Sequence, residues 1–249
     1  MDEKELIRRI LLASQKGPDM TRPQPDSSGY TPPALGTAHA RLMGYYEMGK
    51  HPGKYKGQPR VNDEVWLAFE LSGPNHPPRE LDDGTRVPQR IMVKERFDLT
   101  ATAHFFKLFG MMNYAGKATH MAQLLGEAYL VEVFHRKSTD GMCKYAYIRD
   151  SNGYTVRGPS YQDPINGKTV AVEVAPPLTE PRAFIWDIAD LEMWNSIFVE
   201  GEYEAKKDDK GNVTQAARSK NVLQNYIKEA LNWKEHPLAQ IIEAGGAET

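Results

Sequence analysis

The order of predicted elements between residues 38 and 160 constrains the fold more than any other feature of the chain. Period-two patterns predict strands in ARLMGYY, EVWLAFEL and RIMVKERF, and a helical period follows in DLTATAHFFKLFGMMN and ATHMAQLLG. Two further strands, EAYLVEVFHRK and MCKYAYIRD, flank the turn STDG. Three strands, a helical segment and two strands form the order of an OB-fold. The sequence therefore predicts a mainly β protein with helices (α+β), built on an OB-like five-stranded barrel.

Side-chain periodicity assigns faces and ends to these elements. In EVWLAFEL, the side chains that share one face are Val65, Leu67, Phe69 and Leu71, and those on the other are Trp66, Ala68 and Glu70. Asp98 is predicted to cap the first helix, and Ser219 is predicted to cap a helix in SKNVLQNYIKEALNW.

The chain divides into three predicted parts. Residues 1–37 form an N-terminal helix and a Pro-rich arm, residues 38–160 form the OB-like nucleic-acid-binding barrel, and residues 161–249 form a C-terminal extension packed on the barrel. The N-terminal helix carries an apolar stripe of Leu6, Ile7, Ile10 and Leu11. It either packs on its own domain or supports self-association by docking on a neighbouring subunit.

Composition excludes several classes of protein. A single cysteine excludes a disulfide framework and a multi-cysteine zinc site, and it fits a reducing cytosol. No apolar run approaches the roughly 20 residues needed to cross a bilayer, so a cytoplasmic protein without a membrane partner is expected. The seven histidines show no H-x₃-H or HExxH pairing, and no G-x-S-x-G motif is present. No enzyme activity, metal or cofactor is therefore predicted.

Two segments gather positive charge and aromatic side chains. Residues 40–60 hold five basic residues against one acid, and residues 135–149 hold four against one. These segments carry +4 and +3, whereas the whole chain has a net charge of −2. In an OB-like fold they correspond to the L12 and L45 loops and their flanking strands, which bind oligonucleotides.

This chemistry suits a single-stranded nucleic acid, because cations track phosphates while exposed bases stack on aromatic faces. The predicted nucleic-acid-binding residues are Tyr45, Tyr46, Lys50, His51, Lys54, Tyr55, Lys56, Arg60, Trp66, Phe134, Arg136, Lys137, Lys144, Tyr145, Tyr147 and Arg149. The alternative is that Tyr45, Tyr147 and Trp66 are core or strand-pairing residues. Single-stranded DNA is the expected partner, and the preference over RNA stays open.

Residues 187–204 hold six acids and no base. This run is either a solvated surface or a docking patch for a partner that competes for the cationic groove.

The strings FFKLFGMMNYAGKATHMAQLLG, FIWDIADLEMWNSIFVEGEY and SKNVLQNYIKEALNW resemble single-stranded DNA-binding proteins of the OB-fold type encoded among the replication genes of tailed bacteriophages. The resemblance covers about residues 35–243. It implies coating of single-stranded DNA in phage replication or recombination, replication proteins as partners, no cofactor and a place in the host cytoplasm. Many such proteins end in an acidic tail, whereas this chain ends EAGGAET, which puts tail-mediated recruitment in doubt.

Two other functions stay open from the sequence. A virion, scaffold or assembly protein would use the N-terminal helix and arm without binding DNA. A metal-dependent nuclease would assemble acids from distant positions.

Overall fold

The computed structural model describes residues 31–81, 83–137, 144–207 and 213–245, and its largest element is an antiparallel sheet accompanied by a few short helices. The strands are β1 Gly36–Tyr55, β2 Gln58–Ser72, β3 Arg79–Glu80, β4 Arg86–Val87, β5 Gln89–Arg96, β6 Ala128–Lys137, β7 Lys144–Tyr147, β8 Val156–Arg157, β9 Ser160–Gln162, β10 Thr169–Ala171, β11 Arg182–Phe184, β12 Glu202–Tyr203, β13 Lys206–Lys207, β14 Val213–Gln215 and β15 Arg218–Ser219. The α-helices are α1 His104–Met112, α2 Leu191–Ser196, α3 Val222–Lys228 and α4 Pro237–Gly245, and 3₁₀ turns cover Met121–Leu124, Trp186–Ile188 and Trp233–Glu235. The predicted mainly β, α+β class is confirmed.

The large sheet follows the order β5-β2-β1-β6-β7, with antiparallel neighbours. In addition, β8 pairs with β6, and β11 pairs in parallel with β1. Within the described residues no strand pairing links β5 to β7, so the sheet does not close into the predicted barrel. β5 and β7 are nevertheless in contact, and the guanidinium of Arg149, two residues beyond the end of β7, donates to Glu95 of β5 at 2.5 Å.

β1 reaches several neighbours because two irregularities bend it. Its pairing with β2 shifts register between Leu42 and Gly44 and again between Glu47 and Gly49. Bulges of this kind bend a strand and increase its twist. Gly49 has a φ of +81°, and a Cβ there would clash with the Trp186 ring. The start of β1 pairs with β6, while its middle pairs with β11.

Alternating side chains of β2 enter two different cores. The predicted apolar face of EVWLAFEL is buried in the first of these, which we call the inner core. The main contributors to the inner core are Leu42, Tyr45, Val65, Leu67, Phe69, Leu71, Ile91, Val93, Phe105, Leu108, Met112, Tyr129, Val131 and Ile148. Since Phe105, Leu108 and Met112 come from α1, this helix covers the inner face of the sheet.

The opposite face of β1 and β2 is also buried, in an outer core. Tyr46, Met48, Trp66 and Ala68 form the sheet side of this core. The C-terminal segment supplies Phe184, Trp194, Ile197, Ile227, Ala230, Trp233, Leu238 and Ala239. Trp194 and Trp233 stack with ring centres 5.1 Å apart. The C-terminal segment therefore packs against the outer face of β1 and β2.

Both predicted helix caps are wrong. The first helix begins after Ala103, while Asp98 accepts hydrogen bonds from the backbone and the hydroxyl of Thr100. Ser219 lies in β15, where its Oγ accepts a hydrogen bond from the backbone N–H of Asn221. In both cases a short polar side chain bonds to a nearby backbone group in a local turn rather than to the helix.

The predicted N-terminal helix lies outside the described residues. Across the part of the chain that the structure describes, no helix has the length and apolar character needed to cross a membrane.

Candidate functional site

The first basic–aromatic segment ends in an exposed hairpin. β1 and β2 are joined by Lys56 and Gly57, with φ values of +49° and +81°. Two consecutive residues with positive φ are typical of the tight turns that match the twist of antiparallel strands. The exposed basic and aromatic side chains at this turn are Lys54, Tyr55, Lys56 and Arg60, which we call the hairpin tip.

A tyrosine ring organises the cations of the hairpin tip. Tyr55 is 55% exposed, with Lys56 Nζ 5.5 Å and Arg60 Cζ 5.8 Å from its ring centre. Both distances lie within the approximately 6 Å range of cation–π attraction. The hairpin tip therefore holds an aromatic ring and positive charge together in solvent.

The second segment presents a similar arrangement on β6 and β7. The register pairs Phe134 with Tyr147 and Arg136 with Tyr145, which places these four side chains on one face. We call them the β6–β7 face. Tyr145 is 43% exposed and Tyr147 is 37% exposed. Arg136 Cζ lies 5.1 Å from the centre of the Tyr147 ring.

Two lysines lie at the end of the β6–β7 pairing, next to the β6–β7 face. Lys137 and Lys144 pair at the end of the ladder, and both are exposed. On the opposite face of β7, Ala146 packs against the inner core. The strand is therefore covered on one side and presents tyrosines and cations on the other.

Four predicted residues are corrected by their burial, since their rings are not accessible to a ligand. Tyr45 is 0% exposed in the inner core, and its hydroxyl donates to Glu47 at 2.7 Å. Burial, together with the Glu47 carboxylate, raises the pKa of Tyr45 well above its usual range. Tyr46 and Trp66 belong to the outer core. His51 is buried, and its ring stacks on Tyr226 with centres 4.1 Å apart.

Arg149 and Lys50 are also tied to the fold. The Arg149 guanidinium is paired with Glu95 and lies 5.5 Å from the centre of the Tyr154 ring, so we no longer expect it to contact a ligand. Lys50 is exposed, but its backbone carbonyl accepts a hydrogen bond from Leu231 and its backbone N–H donates to Asn232. Lys50 therefore lies where β1 contacts the C-terminal segment.

A group of cations on β5 lies outside the predicted site. Arg90, Met92 and Lys94 are exposed, whereas Ile91 and Val93, which alternate with them, are buried. We call the outward cations Arg90, Lys94 and Arg96 the β5 strip. The sequence RIMVKER carries the corresponding signal, because its basic residues and Met92 fall at every second position, with Ile91 and Val93 between them.

Lys94 of the β5 strip lies against two aromatic rings. Its Nζ lies 3.4 Å from the centre of the Trp66 ring and 5.9 Å from that of Tyr226. Loss of water on that side lowers the pKa of Lys94, and the nearby Glu64 carboxylate partly opposes this shift. Trp66 was predicted to stack on a base; its ring instead makes a cation–π contact with Lys94.

Strand pairing relates the β5 strip to the two predicted clusters. Arg96 pairs with Glu64 of β2, the strand that leads back to the hairpin tip. The other side of β5 contacts β7, which carries Tyr145 and Tyr147. β5 therefore lies between β2 and β7, and its outward side chains include the cations of the β5 strip.

Metal chemistry finds no support at this surface. Among the described residues, no group of three or more His, Cys, Asp or Glu side chains is placed to hold a metal ion. Comparisons with protein families, with curated proteins and with solved structures found no match to this chain.

Proposed function

We propose that this chain is a non-catalytic protein that binds single-stranded DNA, and that it coats such strands in phage DNA replication or recombination. The observation that carries the proposal is the pairing of exposed tyrosines with cations in both predicted segments: Tyr55 with Lys56 and Arg60, and Tyr147 with Arg136. Rings of this kind stack on bases, and the adjacent cations neutralise phosphates.

The β5 strip adds to this proposal. It supplies Arg90, Lys94 and Arg96 between the hairpin tip and the β6–β7 face. A flexible single strand can follow such a surface because each nucleotide carries one phosphate and one base. In this proposal, the strand crosses the hairpin tip, the β5 strip and the β6–β7 face.

We also propose that the sheet is of the OB type. Its first three long strands form the meander β1-β2-β5, then α1 follows, β6 returns to pair with β1, and β7 pairs with β6. An OB-fold is a partly open five-stranded barrel, and contact between β5 and β7 is consistent with that description.

The test compares labelled oligo-dT with a duplex of equal length in a fluorescence-anisotropy titration. We expect tighter binding to the single strand, because only unstacked bases reach the tyrosine rings. Equal affinity for both would leave only charge attraction and would contradict the stacking argument.

The same titration separates the other two functions when it is run with and without Mg²⁺. Shortening of the oligonucleotide only when Mg²⁺ is present would indicate a nuclease. Absence of binding under both conditions would favour an assembly protein and would refute the proposal.

A further inference from the structure

The C-terminal segment carries a third exposed tyrosine with two cations, within a region that the sequence shows mainly as acidic. Tyr203 of β12 is 49% exposed. Arg218 Cζ of β15 lies 5.1 Å from its ring centre, and Lys220 Nζ lies 5.6 Å from it. This arrangement repeats, on a separate element, the geometry of the hairpin tip.

Strand pairing places this cluster and the neighbouring Glu202 on opposite faces. Tyr203 pairs with Arg218, and Glu202 pairs with Ser219. Since residues directly opposite one another share a face and successive residues alternate, Tyr203 and Arg218 lie on one face and Glu202 on the other. We call Tyr203, Arg218 and Lys220 the ladder face. Two further exposed acids, Glu200 and Glu204, flank β12 along the chain.

A short helix connects the ladder face to the proposed DNA path. Lys220 is followed closely by α3, which begins at Val222. Four residues later, Tyr226 lies beside Trp66 and within 5.9 Å of Lys94 Nζ. Because an α-helix rises 1.5 Å per residue, the step from Val222 to Tyr226 is about 6 Å. The ladder face is therefore connected to the β5 strip through α3 and Tyr226.

We propose that the ladder face is an additional contact for single-stranded DNA, which extends the binding path from the β5 strip onto the C-terminal segment. The inference rests on the proposed function. Tyr203 stacks on a base, while Arg218 and Lys220 neutralise phosphates. A long DNA strand reaches this contact, whereas a short strand contacts only the surface of the sheet.

The experiment measures affinity as a function of length, with oligo-dT of about 8 and about 30 nucleotides, on either side of the site sizes typical of one OB-fold. The variants are Tyr203→Ala and the double variant Arg218→Ala/Lys220→Ala. We expect roughly a tenfold loss of affinity for the long oligomer, as removal of one stacking ring typically produces, and little change for the short one. Tyr203→Phe keeps the ring and should bind like the wild type.

Matched controls remove similar side chains elsewhere. Tyr161 is 47% exposed on β9, and Lys168 and Lys234 are exposed lysines on other elements. Tyr161→Ala and the double variant Lys168→Ala/Lys234→Ala should leave both affinities unchanged. Far-ultraviolet circular dichroism and the urea midpoint establish that each variant is folded.

The possible failures are distinguishable. If the wild type binds neither oligomer, the proposed function and this inference both fail. If the wild type binds and the Tyr203 and Arg218/Lys220 variants match it at both lengths, the ladder face is not a contact and the proposed function stands. Equal losses at both lengths would also overturn the extension, since the cluster would then belong to the primary site.

Discussion

The two basic–aromatic segments have similar compositions and opposite patterns of burial. In the first, Tyr45 and Tyr46 are 0% and 5% exposed, and the ring of Tyr55 reaches solvent only at the hairpin tip. In the second, Tyr145 and Tyr147 are 43% and 37% exposed along the strand itself. The difference follows from the positions of their strands in the sheet.

β1 is a central strand with a core on each side. Tyr45 faces the inner core, and its neighbour Tyr46 faces the outer core, so alternation gives neither side chain an exit to solvent. β7 lies at the end of the sheet path, and the C-terminal segment does not contribute a core over its outer face in the described structure. An aromatic residue in a strand is therefore a binding candidate only if one face of that strand is uncovered.

The largest expected effect is on stability. Tyr45→Ala should lower the free energy of unfolding by about 3–5 kcal/mol, because it removes a large buried aromatic side chain. Tyr147→Ala should lower it by less than about 1 kcal/mol, since the ring is partly solvated. Urea denaturation of the two variants measures the difference.

Tyr45→Phe is the control for this comparison. It keeps the ring in the inner core and removes only the hydrogen bond to Glu47, which typically contributes about 1 kcal/mol. Equal destabilisation by Tyr45→Ala and Tyr147→Ala would contradict the contrast between central and end strands.

The next effect is on DNA binding and concerns the exposed tyrosines of both segments. Tyr147→Ala and Tyr55→Ala should each weaken oligo-dT binding by about 1–3 kcal/mol, because each removes a stacking ring. Anisotropy titrations at fixed salt would measure this loss. Tyr161→Ala, a comparably exposed tyrosine on β9, should bind like the wild type. An unchanged affinity for Tyr147→Ala would show that the Tyr147 ring does not contact the DNA.

A smaller effect concerns the salt dependence at the hairpin tip. For a single strand, the slope of log K against log salt has a magnitude of about 0.7 for each phosphate that the protein neutralises. Lys54→Ala combined with Lys56→Asn should therefore lower this magnitude by roughly 1.4. Asparagine suits position 56 because it tolerates positive φ, and Lys56 has a φ of +49°.

The control for this prediction is the double variant Lys168→Ala/Lys234→Ala, which removes the same charge from other elements. An unchanged slope for the Lys54 and Lys56 variant would place the hairpin tip outside the DNA path.

Much of the sheet could be predicted from the sequence, because local periodicity encodes strands. The alternation of Val65, Leu67, Phe69 and Leu71 correctly identified a buried face. The same alternation could not show that Trp66 and Ala68 are buried as well, because residues more than 100 positions further along the chain cover them. Burial by distant segments leaves no local period in the strand that is covered.

The site was predictable to a similar extent. The hairpin tip follows from turn chemistry and local charge, both of which lie within a few residues. The β5 strip also had a local signal, but its importance depends on lying between β2 and β7, a property of topology. Cation–aromatic contacts such as Lys94 with Trp66 form between strands, and composition alone does not specify them.

The smallest expected effect concerns the charge of Lys94 on β5, the strand between β2 and β7. Burial against Trp66 lowers the pKa of Lys94 below the usual value of about 10.4, so this lysine loses its charge at a lower pH than exposed lysines do. Wild-type affinity for oligo-dT should therefore decline at a lower pH than that of Lys94→Arg, whose guanidinium stays protonated. One exposed ion pair contributes at most about 1 kcal/mol, so the difference between the two proteins should be less than roughly fivefold.

Stability should respond to the same titration with the opposite sign. A lysine with a lowered pKa in the folded state binds fewer protons there than in the unfolded state, so its contribution to stability rises as the pH increases through this range. Deprotonation of Lys94 should therefore lower the DNA affinity and raise the contribution of this residue to folding stability over the same pH interval. Lys94→Arg should remove both changes. Urea midpoints and anisotropy titrations across alkaline pH measure the pair. Because burial also raises the pKa of Tyr45, ionisation of that tyrosine on unfolding lowers the stability of both proteins at high pH, so the test is the difference in urea midpoint between the wild type and Lys94→Arg. A difference that does not change with pH would contradict the assignment to Lys94.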